Sequence, residues 1–321
     1  MAGEKGENIA IIGAGIVGLY LAWRLQKKGF KVTVFEKNKQ VGEKPCSGLI
    51  SERITQFLPI SEGLYLKKID SILVHFLKKD AYINPCPPFL LFKRKELDEF
   101  VFNLAKEAGV NFIFKKQINF PIEGFFKTIA CDGALSQARV FLRLPKLEMR
   151  LGIQFFIKEK DIGNKIEIWP KTFKHKPKHG FLWRIPLGDM VEYGGIGHIS
   201  EIKNELQGFL RQRSVDLKAG HWSAHLVPQG VVLPNNNEIT LAGDSAGMTK
   251  PTTGGGVIWG LSAADILLKN FPDFLNYKKE AERFFRFKQA KGNFIISLGY
   301  PFGEHISFLL PKNIKIDADL F

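Results

Sequence analysis

The chain has 321 residues, 45% of them hydrophobic, and 46 Lys and Arg against 32 Asp and Glu give a formal charge of +14. That is enough apolar material for a sizeable core, whereas three cysteines, Cys46, Cys86 and Cys131, leave an odd thiol and no metal-like spacing, which argues against a disulfide framework. No apolar run approaches the roughly 20 residues of a membrane span and residues 1–8 are too short and polar for a signal peptide, so the expected location is the cytoplasm.

The first element is complete within thirty residues. IAIIGAGIVGLYLAWRLQKKGFKVTVFEK reads as a strand over 9–12, a glycine turn, a helix, and a strand over 31–35 that ends in an acid. Gly13 permits the tight turn, Gly15 lets backbone amides approach a pyrophosphate, and Gly18, after Val17, lets the helix pack on the sheet. The helix N-terminus then faces the phosphates. Glu36, 18 residues past Gly18, stands where a carboxylate accepts both ribose hydroxyls and repels a 2′-phosphate, which points to FAD or NAD rather than NADP.

Further on, residues 69–76 read as a strand, and FKRKELDEF opens a helix over 95–108. Its Leu97, Phe100, Val101, Leu104 and Ala108 share one face, and Gly109 stops it. Segments 152–158, 165–169, 180–185 and 191–196 alternate or run apolar like strands and predict a smaller antiparallel sheet. His221 and His225 lie in a strand-like stretch, too far apart for one small ion, and no metal is expected. No GxSxG elbow supports serine hydrolase chemistry.

EITLAGDSAGMTKPTTGGGVIWGLSAADILL repeats the feed from strand to helix and separates FAD from NAD. Asp244 follows the strand over 239–242 and Gly243, so its carboxylate should project toward a polyol such as a ribityl chain. The run Gly254, Gly255, Gly256 starts a helix at Val257 that extends over 257–268. Its amides and positive dipole end suit the electron-rich N1 and O2 edge of a reduced isoalloxazine. Beyond Asn270 the chain is Phe-rich with basic punctuation and reads as C-terminal helices, serving as core, channel lid or membrane-facing surface.

These segments resemble the p-hydroxybenzoate hydroxylase-type FAD fold, and KPTTGGGVIWGLSAAD is especially similar to the geranylgeranyl reductase family. KPCSGLIS, with Cys46 and Ser47, resembles that family's cysteine-glycine segment beside the flavin. Arg94 matches the arginine heading the helix that contacts FAD. Cys131, Asp132, Gly133, Ser136 and Arg139 resemble the DG motif. HGFLWRIPLGD, 179–189, resembles the YxWxFP segment of the substrate channel, with Phe181 in place of tyrosine and Ile185 in place of phenylalanine, while Trp183 and Pro186 are kept. The same stretch is similar to the WxWxIP segment of flavin-dependent halogenases. The resemblance spans most of 9–268 in order, although the stretch between Gly109 and Asp132 is short for this fold.

The resemblance implies an α/β protein: an FAD-binding Rossmann-like domain (1–50, 93–140 and 226–270), an inserted, mainly antiparallel β substrate lobe (51–92 and 141–225), and a C-terminal helical segment (271–321). FAD would be held by Gly13, Gly15, Val17, Gly18, Glu36, Cys46, Ser47, Arg94, Asp132, Gly243, Asp244, Gly255, Gly256 and Val257. Cys46, as flavin contact or proton relay, and Trp183, as channel wall, would serve catalysis. The implied reaction saturates double bonds of a prenyl lipid, quinone or polyprenyl compound. An aromatic monooxygenase or halogenase is the alternative enzyme, and a non-catalytic prenyl carrier the alternative of another class. No second strand-associated GxGxxG is present, so the electron donor, NAD(P)H or a reduced carrier, is left open. The basic excess favours anionic partners, and without a nucleic-acid-binding motif it reads either as a peripheral contact with the inner face of the membrane or as a solubilising surface.

Overall fold

The computed structural model describes residues 6–161 and 163–319. The chain begins with β1 (Asn8–Ile12), α1 (Ile16–Lys27) and β2 (Lys31–Phe35). It then crosses to β3 (Leu49–Ser51), β4 (Lys67–Ile69), β5 (Ile72–His75), β6 (Asp80–Cys86) and β7 (Phe89–Leu91) before returning through α2 (Arg94–Glu107), β8 (Asn111–Ile113), β9 (Lys127–Ala130) and α3 (Gln137–Phe141). A second excursion makes β10 (Glu148–Asp161), β11 (Ile166–Thr172), β12 (His179–Pro186), β13 (Gly188–Gly197), α4 (Ile202–Gln212) and β14 (His221–Gln229). The chain closes with β15 (Ile239–Leu241), α5 (Val257–Asn270), α6 (Phe274–His305) and β16 (Asn313–Asp317).

Two principal sheets result. The five-stranded one, in order β15-β9-β1-β2-β8, is parallel throughout. Its central strand is apolar because both faces are covered: α1 packs with α2 and α5, while Ile118, Phe120, Ile122 and Phe125 of the segment after β8 pack with Ala10, Ile12 and Phe35. This aromatic segment covers a sheet face within the short stretch ahead of Asp132. The chain leaves β1 toward β2 on one side and pairs with β9 on the other, so the C-terminal end of β1 is the switch point at which α/β sheets bind ligands.

The eight-stranded sheet has the order β14-β10-β13-β12-β11-β5-β6-β16, and its β10 to β14 region is antiparallel apart from the β11–β5 junction. Alternation gives it two faces. Ile153, Phe155, Leu182, Val191 and Tyr193 pack under α4 with Leu206 and Phe209, and the other face, carrying Gln154, Ile168, Phe181, Trp183, Ile185 and Ile196, turns toward the parallel sheet and lines a cavity.

Two expectations are corrected here. The single strand over 69–76 is broken at Asp70 and Ser71: Ile69 ends β4 in a small β3-β7-β4 sheet, while Ile72 begins β5 in the large one. The C-terminal segment is not all helix. One 32-residue helix, α6, is followed by β16, whose alternation of Ile314 and Ile316 with polar neighbours suits the edge of β6, where it pairs in parallel. Residues 320–321 of that segment lie outside the described residues. The large sheet also keeps β14 as far as Gln229, three residues past the start expected for the last cofactor-domain segment at 226.

Candidate functional site

A cavity of about 820 Å³ opens at the switch point and continues along the apolar face of the large sheet. Its first wall is the glycine turn. Gly13 has φ +104°, donates to the Phe35 carbonyl at 2.7 Å, and leaves no room for a side chain, since a Cβ there would stand 2.4 Å from the Cys131 carbonyl oxygen. Gly18 is equally constrained: its Cβ would meet the Gly13 carbonyl oxygen at 2.1 Å. Gly15 differs, because nothing lies within 4 Å of where its Cβ would be. It is the N-cap of α1, with no side-chain capping bond and no acid in the first turn. The helix therefore presents unpaired amides and its positive dipole end to open space, the arrangement a phosphate occupies.

Gly15→Ala and Gly18→Ala should accordingly fail in different ways. The Gly15 variant is expected to keep the wild-type melting temperature and lose dinucleotide affinity, whereas the Gly18 variant should lose stability itself. Thermal melts alongside flavin absorbance separate the two, and equal stability of both variants would contradict the packing role of Gly18.

Glu36, 9% exposed at the end of β2, is tied to this turn. Its Oε2 accepts the Ala14 amide at 2.7 Å and its Oε1 accepts the Asn38 amide at 2.9 Å. Each oxygen keeps a further acceptor position toward the cavity it lines. Asp132 also lines the cavity, and its Oδ2 caps α3 by accepting the Gln137 amide at 2.7 Å. Burial raises its pKa, opposed by hydrogen bonds from Ser136 and the backbone. Arg139 of the same motif donates to the carbonyls of Ser245 (3.3 Å) and Pro145, stitching the β9 turn to the β15 turn.

The second wall holds the charged groups. Asp244, half-buried in the turn after β15, accepts from Lys44 Nζ at 2.6 Å and lies 3.3 Å from His225 Nε2. Burial opposes its charge, but the Lys44 ammonium and His225 outweigh burial and hold the carboxyl well below its ordinary range. Gly254 (φ +73°) and Gly256 bring the start of α5 beside it: a Cβ on Gly256 would lie 3.0 Å from Asp244 Oδ1. Like α1, α5 begins at a glycine with no side-chain cap and no acid in its first turn. Arg94, at the head of α2, is buried and bonds both carboxylate oxygens of Asp98, at 3.0 and 3.2 Å. Burial lowers its pKa, but Asp98 and Cys46 more than reverse this and leave the guanidinium firmly charged.

The third wall is apolar: Phe89, Ile166, Ile168, Phe181, Trp183 and Ile185. Trp183 Nε1 donates to Glu192 Oε1 at 2.7 Å. Ile185 is only 2% exposed, packed among Ile69, Ile72 and Ile168, so the smaller side chain leaves no void on its core side.

Residues 11–44 match the model of a family described as an NAD(P)-binding Rossmann-like domain. Over 299 residues the chain is 23% identical to a digeranylgeranylglycerophospholipid reductase of Methanocella arvoryzae, covering 81% of this chain and 76% of that one. Its fold aligns with a geranylgeranyl bacteriochlorophyll reductase-like protein of Thermoplasma acidophilum at TM-score 0.72 and 17% identity, covering 90% and 86% of the two chains. The chain is also 21% identical over 333 residues to a geranylgeranyl diphosphate reductase of Rhodobacter capsulatus, covering 91% of this chain and 81% of that one. The flavin-dependent brominase Bmp2 shares the fold at the same TM-score of 0.72 and 14% identity, covering 93% and 89%.

Of the expected site residues, Gly13, Gly15, Val17, Gly18, Glu36, Cys46, Ser47, Arg94, Asp132, Trp183, Gly243, Asp244, Gly255, Gly256 and Val257 all line this one cavity. Val17 is shared with packing, since a Cβ on Gly260 would stand 2.5 Å from its Cγ2. The uncapped helix ends, the open space at Gly15 and the half-buried Asp244 fit an FAD. Lys44, His225, Lys250 and Glu192 carry no signal along the chain that marks them for this site. His225 is one of seven scattered histidines, and only the fold brings it to Asp244. Away from the cavity, His175, His198 and Glu201 bring ligand-type atoms within 4.8 Å of one another. Glu201 there accepts the amides of Lys174 and His175, which holds the loop between β11 and β12 against the start of α4.

Proposed function

We propose that this protein is an FAD-dependent oxidoreductase that saturates carbon–carbon double bonds of a geranylgeranyl-type prenyl chain carried by a lipid, quinone or polyprenyl alcohol. The observation that supports it most is the continuity of one cavity from the dinucleotide cradle to a wall of Phe89, Ile166, Ile168, Phe181, Trp183 and Ile185. The chemistry that FAD would supply when bound and reduced is a hydride for one alkene carbon, with a proton for its neighbour. The chain's own residues supply the rest. The glycine turns, Glu36 and Asp244 hold the cofactor, the apolar wall orients a hydrocarbon and excludes water, and the Trp183 and Phe181 faces suit positive charge developing on the alkene. Phe181 has no proton to give. Cys46, half-buried on the same cavity and beside Arg94, is the flavin contact or proton relay of this reading.

The brominase likeness and the WxWxIP-like strand favour a second reading, an FAD-dependent monooxygenase or halogenase acting on an aromatic substrate. Among the described residues no helix is long and apolar enough to cross a membrane. Phe287, Phe294 and Leu298 of α6 are 73%, 62% and 56% exposed, and with the +14 charge they support a peripheral contact with anionic lipid.

The test is anaerobic incubation of the dithionite-reduced protein with geranylgeraniol and digeranylgeranyl phospholipid in vesicles, with mass spectrometry of the products. Mass should rise by one hydrogen pair per bond reduced, and faster on anionic than on neutral vesicles at low salt. A flavin-loaded protein that adds no hydrogen under these conditions but, in a parallel aerobic incubation with an aromatic substrate and halide, gives oxygen- or halide-dependent products would overturn the reductase reading. A protein that binds prenyl chains without FAD would place it among carriers.

A further inference from the structure

One carboxylate on the cavity side of the large sheet has no part in the scheme above. Gln154 on β10, Gly194 on β13 and Trp183 on β12 stand directly opposite one another across three strands. Gly194 makes room for the indole: a Cβ there would lie 2.2 Å from Trp183 Cε2. Glu192, two residues along β13 on the same face, is 1% exposed. Its Oε1 accepts from Trp183 Nε1 and from Gln154 Nε2, each at 2.7 Å. Both donors line the cavity, so one buried oxygen anchors two neighbouring pieces of its wall.

Among the described residues no cation pairs with this carboxyl. From β12 it meets Trp183 and, opposite in register, Ile185; from β10 it meets Gln154 and Phe156. Arg184 and Tyr193 alternate to the other face of the sheet, where they pair with Glu159 and Asp161. Of the other titratable groups on the cavity, Lys44 and His225 hold Asp244, Cys46 meets Arg94, and Lys250 donates to the Ala318 carbonyl at 2.6 Å. Burial without a counter-ion favours the neutral acid. The two neutral donors offset that only in part, and the Glu192 pKa is pushed up to about 7.

We propose that Glu192 is a positioning residue for the substrate wall, holding the Trp183 indole and the Gln154 amide through one shared oxygen, so that its ionisation loosens the wall against a hydrocarbon. The neutral acid leaves the wall dry. The anion must be hydrated where it is buried, and the water it draws in competes with an apolar ligand beside Trp183. This rests on the reading of Trp183 as a substrate wall. It adds a residue that touches neither substrate nor cofactor.

The experiment uses flavin-loaded protein in wild-type, Glu192→Gln and Trp183→Phe forms, with tryptophan emission and geranylgeraniol affinity followed from pH 6 to 8. Glu192→Gln keeps the shape and an oxygen that accepts from both donors but cannot ionise. Wild type should show an emission inflection near pH 7 that both variants lack. Its affinity should fall roughly tenfold over this range, as the neutral fraction drops to about a tenth one unit above the midpoint. Glu192→Gln should bind at pH 8 as wild type does at pH 6. An inflection that persists in Glu192→Gln, or in Trp183→Phe should the first variant not fold, overturns the positioning role. An inflection that behaves as expected with no geranylgeraniol binding at any pH leaves Glu192 anchoring Trp183 and sinks the prenyl reading instead.

Discussion

Asp244→Ala is expected to strip most of the flavin from the purified protein, the largest loss of cofactor affinity from any single side chain at the site. The carboxylate side chain is 13% exposed and is held by Lys44 at 2.6 Å and His225 at 3.3 Å. Only Oδ2 is used by these partners, which leaves Oδ1 beside the Gly256 turn to accept from a polyol hydroxyl. A charge-assisted hydrogen bond of that kind is worth roughly 1.5–3 kcal/mol, or about ten- to a hundredfold in affinity. Removing the carboxylate also leaves the Lys44 ammonium facing the cofactor cavity without its partner. Lys44→Ala should cost less, because that side chain is 37% exposed and water can replace it in part. Flavin absorbance of each variant, with FAD titration, measures both effects. The Asp244 pKa is depressed, so the pair persists as pH falls through the usual carboxylate range and breaks only below it. Flavin released by mild acid would therefore implicate another group. Wild-type flavin content in Asp244→Ala would remove Asp244 from the binding site.

What could be read along the chain follows from how local each feature is. The first glycine turn, its helix and Glu36 lie within 30 residues, and each residue type there has one steric or electrostatic purpose, so sequence order sufficed. The same holds for Asp244 and the glycines that follow it. Other features depend on which strands become neighbours. Lys44 reaches Asp244 from 200 residues away and His225 from 19, and neither residue type is distinctive in its own segment. Glu192 meets Trp183 only through the antiparallel register of β12 and β13; along the sequence it is an acid in a glycine-rich strand. Strand β16 was missed because five alternating residues are a weak signal beside a long Phe-rich helix, and the edge it completes, β6, lies more than 200 residues earlier. The Phe pattern of α6 was ambiguous for a physical reason: Phe274 and Phe285 are core, while Phe284, Phe287 and Phe294 on other faces of the same helix are exposed.

Trp183→Ala should be the most damaging change to turnover, and Ile185→Phe the most informative about the substrate. Truncating a fully buried tryptophan costs roughly 3–5 kcal/mol in packing, and truncating the half-buried Trp183 should cost less than that. At Trp183 it also removes an aromatic face beside the reacting chain and leaves Glu192 without one of its two donors. Activity must therefore be compared at a temperature where melts show the variant folded. Flavin content should stay near wild type, since the charged groups that hold the cofactor belong to other walls. Ile185 stands in the same wall but is buried against Ile69, Ile72 and Ile168, so the larger ring of Ile185→Phe cannot simply fill a void. Overpacking of this kind costs roughly 1–3 kcal/mol, and the least crowded direction for the ring is into the cavity that Ile185 lines. A ring placed there shortens the channel beside Trp183. The expected result is a modest fall in melting temperature together with a shift toward shorter prenyl chains or fewer reduced bonds, read by mass spectrometry of the products. Wild-type product distribution from a folded, flavin-loaded Ile185→Phe protein, with wild-type rate from Trp183→Ala, would mean that hydrocarbon reaches the flavin along another wall and that this strand serves only to support the sheet.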